Sequence, residues 1–258
     1  MKIIVITQDE PFFTQITLKK LVQARGDEIK AIFFLPHYLI FGSSFSMFRY
    51  YLSAYGIGFI FRIAWRRSIK FITKLAAYVL LIKRQGLDYY INKFSIPVYN
   101  IKKINNQVMD KIQQISPDLI ISLSATQVFS DKLLNLPGEG CINLHSGPLP
   151  YYRGLFPTFW QLFNEEKEIG LTVHFMDKNI DGGKILLQGK VQVSPDDSLF
   201  SLLDRVKHKG AQILLEALRL IETKNITAIP NDITKGSYYV LPKREDIKKF
   251  LYKGKKLF

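Results

Sequence analysis

The sequence CINLHSGPLPYYRG, at residues 141–154, combines a short apolar run, a polar pair and a proline-containing loop. In the apolar run, Asn143 and His145 alternate with Ile and Leu. Because successive side chains of a β-strand point to opposite faces, Asn143 and His145 are predicted to share one face at the end of a strand. The letters GPLP that follow predict a stiff loop whose backbone can approach a ligand closely.

Apolar runs and amphipathic segments alternate on both sides of this stretch. Residues 2–7 predict a buried strand, 13–23 a helix and 29–34 a second strand, which together predict a right-handed crossover. Further strands are predicted at 96–101, 118–124, 140–145, 170–177 and 184–193, and helices at 107–114, 131–134 and 198–222. The sequence therefore predicts an α/β fold with a doubly wound, mostly parallel sheet.

The composition is that of a cytoplasmic globular protein with an excess of positive charge. The 258 residues carry a net charge of +14 and include one cysteine, Cys141, which excludes an intramolecular disulfide and fits a reducing compartment. The first apolar run is too short for a signal peptide, and no uncharged stretch is long enough to span a membrane. The charge predicts an anionic partner: nucleic acid, a membrane surface or a phosphorylated substrate.

The charge is concentrated where the α/β pattern stops. Residues 38–90 are predicted to form a basic, largely helical insertion in a catalytic domain of residues 1–223, followed by a short basic extension at 224–258. On a helix from Phe59, one stripe would contain Arg62, Arg66, Lys70 and Lys74, and the other side Phe61, Ala64, Trp65, Ile72 and Leu75. This pattern is typical of a peripheral membrane helix on the inner face of the membrane. The alternative is a solvated helix whose apolar face packs on the domain or on the second subunit of a homodimer.

Asn143, His145 and Asp181 are the candidate catalytic residues. An amide donor beside an imidazole is suited to stabilise an oxyanion, and the imidazole can also move a proton. Asp181 lies in the turn NIDGG, where its carboxylate would tune the pKa of His145 or accept a proton. Each residue also has a purely structural interpretation, as a strand cap, a buried histidine and a turn residue. His174, in the middle of a strand, is predicted to be packed or to support its neighbours.

Two classes of cofactor are not predicted. The sequence has no C-x-x-C and no H-E-x-x-H motif, and its four histidines are dispersed, so a metal site is not expected. The first turn, TQDEPF, lacks the G-x-G-x-x-G pattern that holds a pyrophosphate, so NAD is not expected either.

Two segments together resemble the folate-dependent formyltransferases: INLHSGPLPYYRG at 142–154 and GLTVHFMDKNIDGGKIL at 170–186. This family includes glycinamide ribonucleotide transformylase, methionyl-tRNA formyltransferase and the sugar N-formyltransferases. The shared pattern is N-x-H, a proline loop, R-G and an Asp-Gly turn, and it extends continuously over 117–223 and loosely over 1–34. The resemblance implies a Rossmann-like formyltransferase fold, 10-formyltetrahydrofolate as formyl donor, and catalytic roles for Asn143, His145 and Asp181.

The resemblance also implies a folate pocket formed by two loops. The predicted lining residues are Gly147, Pro148, Leu149 and Pro150, together with Ser124 and Gln127 in SLSATQVF. The first loop reads HSGPLP, where relatives commonly have HPSLLP or HGSLLP.

The predicted reaction is formylation of a primary amine on a nucleotide- or lipid-linked amino sugar, in surface polysaccharide synthesis. The segment PTFWQLFNEEKEIGLTVHFMD, at 157–177, resembles the sugar enzymes more than the purine enzymes. Methionyl-tRNA is the alternative amine, but residues 224–258 are too few for the C-terminal barrel of those enzymes, so no specific nucleic acid is predicted. A formyltetrahydrofolate hydrolase is a further alternative. A non-enzymatic RNA- or membrane-binding module is the last, and the intact Asn–His–Asp set argues against it.

Overall fold

The computed structural model describes residues 1–10, 13–79 and 86–258, except for the side chains of Arg67 and residues 70–79. The strands are β1 Ile3–Gln8, β2 Ile29–Leu35, β3 Val98–Asn100, β4 Leu119–Leu123, β5 Cys141–His145, β6 Arg153–Gly154, β7 Glu168–Phe175, β8 Ile185–Gln192 and β9 Tyr238–Tyr239. The helices are α1 Thr14–Arg25, α2 Ser44–Tyr55, α3 Ile57–Val79, α4 Leu87–Lys93, α5 Asn106–Ile115, α6 Asp131–Leu134, α7 Pro157–Phe163, α8 Leu199–Glu222 and α9 Arg244–Tyr252. Short 3-10 turns occupy His37–Phe41 and Ile233–Lys235.

Within the described part of the chain, seven strands form the main sheet, in the order β3-β2-β1-β4-β5-β7-β8. The strands from β3 to β5 are parallel to their neighbours, whereas β7 runs antiparallel to both β5 and β8. The chain winds outward in one direction from β1 to β3 and in the other from β4 to β8. The predicted doubly wound, mostly parallel α/β fold is therefore confirmed.

Helices cover both faces of the sheet, which explains why its central strands are apolar throughout. In β1, Ile3 and Val5 face the core that includes α1 and α8, and Ile4 and Ile6 face the core that includes α5 and α6. All four side chains are fully buried. A strand that is covered on both sides loses the polar alternation of a half-exposed strand, as expected for a parallel sheet.

The carboxyl ends of the parallel strands lie at one edge of the sheet. Gln8 ends β1, Leu35 ends β2 and His145 ends β5. The winding direction reverses between β1 and β4, and ligands of open α/β sheets bind at such a reversal, beyond the carboxyl ends of the strands. The fold thus places Asn143 and His145 next to the expected ligand-binding crevice.

The described residues of the insertion predicted at 38–90 are largely helical, and they pack through aromatic rings. Phe59 of α3 is 9% exposed and lies 4.5 Å from Tyr55 and 5.4 Å from Phe258, measured between ring centroids. The predicted roles of Lys70, Lys74, Ile72 and Leu75 concern side chains outside the described set. Arg67 has an undescribed side chain as well, and Lys83 and Arg84 are not described at all. No helix in the described ranges is both long enough and apolar enough to span a bilayer.

Residues 224–258 pack against the rest of the chain. β9 pairs in parallel with β6 in a second, small sheet. Phe250 of α9 is fully buried, and its ring stacks on Phe159 of α7 at 5.0 Å. The division into a catalytic domain at 1–223 and an extension at 224–258 stays a prediction, and the extension shares a hydrophobic core with the domain.

Candidate active site

The pairing of β5 with β7 positions Asn143 in the candidate site. β5 and β7 are antiparallel, and their register places Asn143 opposite His174. The Nδ2 atom of Asn143 lies 3.1 Å from Nε2 of His174, and the other ring nitrogen of His174 lies 2.7 Å from the carbonyl oxygen of Phe175. Because a carbonyl only accepts, Nδ1 of His174 carries a hydrogen and Nε2 of the neutral ring accepts one from Asn143. His174 therefore fixes the orientation of the Asn143 amide.

His145 is 6% exposed and is held by a backbone carbonyl. Its Nε2 lies 2.8 Å from the carbonyl oxygen of Tyr152, so Nε2 carries the hydrogen in the neutral ring. Its Nδ1 faces Oδ1 of Asp181 at 3.5 Å. Burial lowers the pKa of His145 by more than the nearby Asp181 carboxylate raises it. The ring is therefore neutral at neutral pH, with a basic nitrogen directed at Asp181.

Asp181 is an ionised carboxylate at the centre of the cluster. Its Oδ2 accepts the Gly154 N–H at 2.8 Å, and its Oδ1 lies 3.7 Å from Nε2 of His174. Burial alone would raise the pKa of Asp181, but His145 and His174 in their protonated forms, together with the Gly154 N–H, lower it well below its ordinary value. The Gly154 N–H stabilises the carboxylate whether or not the imidazoles are protonated.

The turn that contains Asp181 is fastened from two sides. Arg153 donates from Nε and Nη2 to the carbonyl oxygen of Ile180, at 3.0 and 2.8 Å. Asn231 donates to the carbonyl oxygens of Asp181 and Gly183, at 2.9 and 3.1 Å. Asp181 itself has a left-handed backbone, with φ of 50°. These bonds hold the carboxylate in place against that backbone strain.

The three candidate catalytic residues thus lie together, with His174 linking Asn143 to Asp181. Asn143, His145 and Asp181 were predicted from the sequence as catalytic residues, and His174 only as a packed or supporting one. The contact of His174 with Asn143 arises from the β5–β7 register, and its contact with Asp181 from the turn after β7. The cluster presents an amide donor, a basic imidazole nitrogen and a carboxylate, a set suited to stabilising an oxyanion and accepting a proton.

Lys207 is a further polar residue near the site that the sequence analysis missed. It lies on α8, and its Nζ is 3.4 Å from Oγ of Ser146. Burial lowers its pKa. Together with Thr14, Thr17 and Ser124, its side chain lines a small cleft beside β4 and β5. A lysine on an amphipathic helix ordinarily indicates a solvent-facing position, so the sequence carried no signal for it.

The loop at Gly147, Pro148, Leu149 and Pro150 is tied to the sheet through its backbone. Thr172 donates to the carbonyl oxygen of Gly147 at 2.7 Å and accepts from the backbone N–H of Leu149 at 3.1 Å. Gln188 donates to the carbonyl oxygen of Leu149 at 2.9 Å. The loop is therefore stiff, as predicted, although its polar backbone groups are largely used within the protein.

The two residues predicted in the second folate loop have different environments. Ser124 lines the cleft beside Lys207. The amide of Gln127 accepts from the N–H of Ile104 at 2.8 Å and donates to the carbonyl oxygen of Ile104 at 3.4 Å, so it supports the neighbouring chain. Contact of either loop with a folate stays a prediction.

The family model described as formyl transferase matches residues 79–218, more than half of the chain. The chain belongs to the formyl transferase family. The matched residues include Asn143, His145, His174 and Asp181, whereas residues 1–34 lie outside the match. The fold nevertheless places the β1–α1–β2 unit of this family member next to β4.

The similar curated proteins include methionyl-tRNA formyltransferases. The methionyl-tRNA formyltransferase of Alkaliphilus oremlandii is 37% identical over 145 residues, which are 56% of this chain and 47% of that protein. The chain thus spans about half the length of the curated relatives it matches.

Two solved structures add to this result. The formyltransferase PseJ from Anoxybacillus kamchatkensis, in complex with UDP-4,6-dideoxy-4-formamido-L-AltNAc and tetrahydrofolate, is 25% identical, with a TM-score of 0.52 over 66% of this chain and 86% of that chain. A phosphoribosylglycinamide formyltransferase from Anaplasma phagocytophilum has a TM-score of 0.61 at 15% identity, over 92% of this chain and 98% of that chain. The second likeness shows the shared fold alone.

Proposed function

We propose that this formyl transferase moves a formyl group from 10-formyltetrahydrofolate to the primary amine of a nucleotide- or lipid-linked amino sugar. The observation that carries the proposal is the cluster of Asn143, His145 and Asp181 at the carboxyl edge of the sheet. These three residues supply the hydrogen-bond donor, the base and the fixed negative charge that amine acylation needs.

Each residue has one proposed role. The Nδ2 of Asn143 carries two hydrogens; one goes to His174, and the second would donate to the charge that develops on the formyl oxygen. His145 would take a proton from the attacking amine at Nδ1, the nitrogen opposite its bond to Tyr152. That proton would pass to the folate nitrogen as the bond between this nitrogen and the formyl carbon breaks, which releases tetrahydrofolate and the formylated amine. Asp181 would stabilise the resulting imidazolium, because its Oδ1 lies 3.5 Å from that nitrogen.

10-Formyltetrahydrofolate would supply the electrophilic formyl carbon, and the polar side chains of the site fit that formyl group. An amide N–H and an uncharged imidazole nitrogen suit a carbonyl and an amine, and neither requires a metal. We assign the folate pocket to the stiff loop Gly147, Pro148, Leu149 and Pro150 together with Ser124. Gln127 would hold the second loop in shape through Ile104. The tetrahydrofolate in the PseJ complex supports a folate-type donor.

Two amines compete as the acceptor. The UDP-linked sugar in the PseJ complex supports an amino-sugar acceptor and a role in polysaccharide synthesis. The curated relatives named methionyl-tRNA formyltransferase and the net charge of +14 favour tRNA as the second candidate. Those relatives match over only about half of their length. We propose the amino sugar first, and a cytoplasmic location.

A turnover panel tests the proposal. The full chain is incubated with 10-formyltetrahydrofolate and either nucleotide-linked amino sugars or methionyl-tRNA, and release of tetrahydrofolate and formate is measured for the wild type and His145→Gln. We expect amine-dependent release with an amino sugar at physiological salt, strongly reduced in the variant. Efficient turnover of methionyl-tRNA alone would select the second candidate. Formate release without any amine would instead indicate a hydrolase, and no release under any condition would refute formyl transfer.

A further inference from the structure

The insertion presents an unusually apolar surface to solvent. On α2, Phe45 is 68% exposed and Phe48 45% exposed. On α3, four large side chains recur at spacings of four residues. We define the α2–α3 apolar surface as the side chains of Phe45, Phe48, Ile57, Phe61, Trp65 and Ile69. The last four lie on α3 and are 58%, 69%, 67% and 43% exposed, in that order. Large apolar side chains grouped on neighbouring helices indicate an interaction site, whereas single exposed ones do not.

The orientation of α3 explains why these side chains face outward. Phe59 points into the protein and stacks on Tyr51 and Tyr55, at 5.8 and 4.5 Å between ring centroids. On a helix, a residue two positions away points in a very different direction, so burying Phe59 turns Phe61 outward. The alternative that the apolar face of α3 packs on its own domain is therefore wrong for Phe61 and Trp65.

Basic side chains border this surface. The guanidinium of Arg62 lies 5.0 Å from the ring centroid of Phe258, and that of Arg66 lies 5.0 Å from the ring of Phe200. Both side chains remain exposed. Arg49 lies over the ring of Phe45 at 6.0 Å. Residues 38–87 contain no Asp or Glu, so no acidic group of that segment offsets these charges.

This charge distribution fits an anionic bilayer better than a second copy of the chain. A second copy of the chain would bring one basic border against another, and like charges repel. An anionic bilayer offers apolar chains to Phe61 and Trp65 and phosphate groups to the arginines, which satisfies both parts of the surface.

The segment that carries this surface leaves the sheet at the edge where the candidate active site lies. The insertion at 38–90 follows closely after β2, which ends at Leu35 at the carboxyl edge. Just before the insertion, Nδ1 of His37 lies 2.9 Å from Oε1 of Gln8 at the end of β1. The ring of Phe59 also packs against Phe200 at the start of α8, at 6.2 Å. The helices that would hold a partner are therefore anchored at the same edge of the sheet as His145.

We propose that the α2–α3 apolar surface docks on an anionic lipid bilayer, with Phe61 and Trp65 among the acyl chains and Arg49, Arg62 and Arg66 at the headgroups. Docking of this kind anchors the protein at the membrane surface without spanning it. The inference rests on the geometry and charge of the insertion and does not depend on which amine is formylated. If the acceptor is a lipid-linked sugar, docking would bring the carboxyl edge of the sheet close to it.

The test is flotation of the full chain with vesicles of phosphatidylcholine alone or with about 30% phosphatidylglycerol, at low and high salt. We expect co-flotation with the anionic vesicles only, and weaker binding as salt screens the arginines. Trp160 is only 8% exposed, so quenching of tryptophan emission by brominated lipid would report on Trp65. The matched control is Tyr252→Ser, which removes a 94% exposed aromatic side chain from α9.

Two variants separate the contributions. Phe61→Ser with Trp65→Ser should abolish flotation and quenching without lowering the melting temperature, because both side chains are exposed. Arg62→Gln with Arg66→Gln should lower the partition coefficient about 10- to 30-fold at low salt, since each basic residue contributes about 1 kcal/mol at an anionic surface. Failure of the wild type to float with anionic vesicles would overturn the proposal. The proposal would also be overturned, in favour of a second copy as the partner, if the wild type sediments as a dimer and the double variant Phe61→Ser with Trp65→Ser sediments as a monomer.

Discussion

A single methyl group added at Gly147 should disable His145 without removing any polar atom. The Cβ of an alanine at this position would lie 2.7 Å from Nε2 of His145 and 2.9 Å from the carbonyl oxygen of Tyr152. These are the two atoms of the hydrogen bond that sets the tautomer of His145. The methyl group would therefore push apart the partners that keep Nδ1 of His145 basic and directed at Asp181.

The displacement can be worked out from these distances. Cβ contacts below 3.4 Å are tighter than nine in ten in real structures, so the imidazole must move by about 0.7 Å, from 2.7 to 3.4 Å. Overpacking of this kind costs about 1–3 kcal/mol of stability, and losing the hydrogen bond costs about 1 kcal/mol. Misplacing a catalytic group by about 1 Å lowers a rate by up to about 100-fold. We expect Gly147→Ala to lower kcat by about 10- to 100-fold.

The assay measures the initial rate of tetrahydrofolate release with the amine that the wild type accepts, alongside urea unfolding of each protein. The matched control is Gly138→Ala, because a Cβ at Gly138 meets no atom within 4 Å and its backbone is not left-handed. The control should retain both kcat and stability. If Gly147→Ala loses stability but keeps kcat within about twofold of wild type, the Tyr152 carbonyl does not position His145 for catalysis, and the reasoning fails.

Three further outcomes are expected. Each of three single variants, Asn143→Ala, His145→Gln and Asp181→Asn, should lower kcat by about 100-fold. Tetrahydrofolate should still raise the melting temperature of each variant. Near-normal turnover by any one variant would remove that residue from the mechanism. NMR titration of the imidazole should show the pKa of His145 below its ordinary value of 6.5, and lower still in Asp181→Asn, because the carboxylate raises it. Since the unfolded chain then binds this proton at higher pH than the folded chain, the free energy of unfolding should decrease as the pH falls through about 6.5. Phe250→Ala should lower the free energy of unfolding by about 3–5 kcal/mol in urea, because the ring is fully buried on Phe159, and an unchanged midpoint would make residues 224–258 a dispensable extension.

Local sequence patterns predicted the elements of the central sheet well. The helical turn predicted at 131–134 is α6, Asp131–Leu134, and the strand predicted at 140–145 is β5, Cys141–His145. These predictions rest on short periodicities, and the structure shows in addition that the side chain of Ser130 caps α6 by accepting from the N–H of Leu133. Such signals depend on near neighbours in the chain, which is why they can be read without the fold.

The insertion shows where periodicity stops being informative. The helix predicted from Phe59 is α3, but apolar residues occur on more than one of its faces. Phe59 is inside while Phe61 and Trp65 are outside, and Arg62 and Arg66 lie beside rings of the C-terminal segment and α8. The sequence predicted a basic stripe and an apolar side, yet it contained nothing to decide which face would meet the domain. That choice depends on Phe200 and Phe258, which are distant in the chain.

The sequence by itself determined that Asn143 and His145 share a face at the end of a strand, because strand side chains alternate with a period of two. It also marked Asp181 as a turn residue by the two glycines that follow. Only the tertiary structure decided that Asp181 lies 3.5 Å from His145, that His174 orients Asn143, and that Lys207 approaches Ser146. The β5–β7 register, the β7–β8 turn and the packing of α8 decide these contacts. Each joins residues that no local periodicity relates, so the site's polar groups meet only when the sheet is assembled.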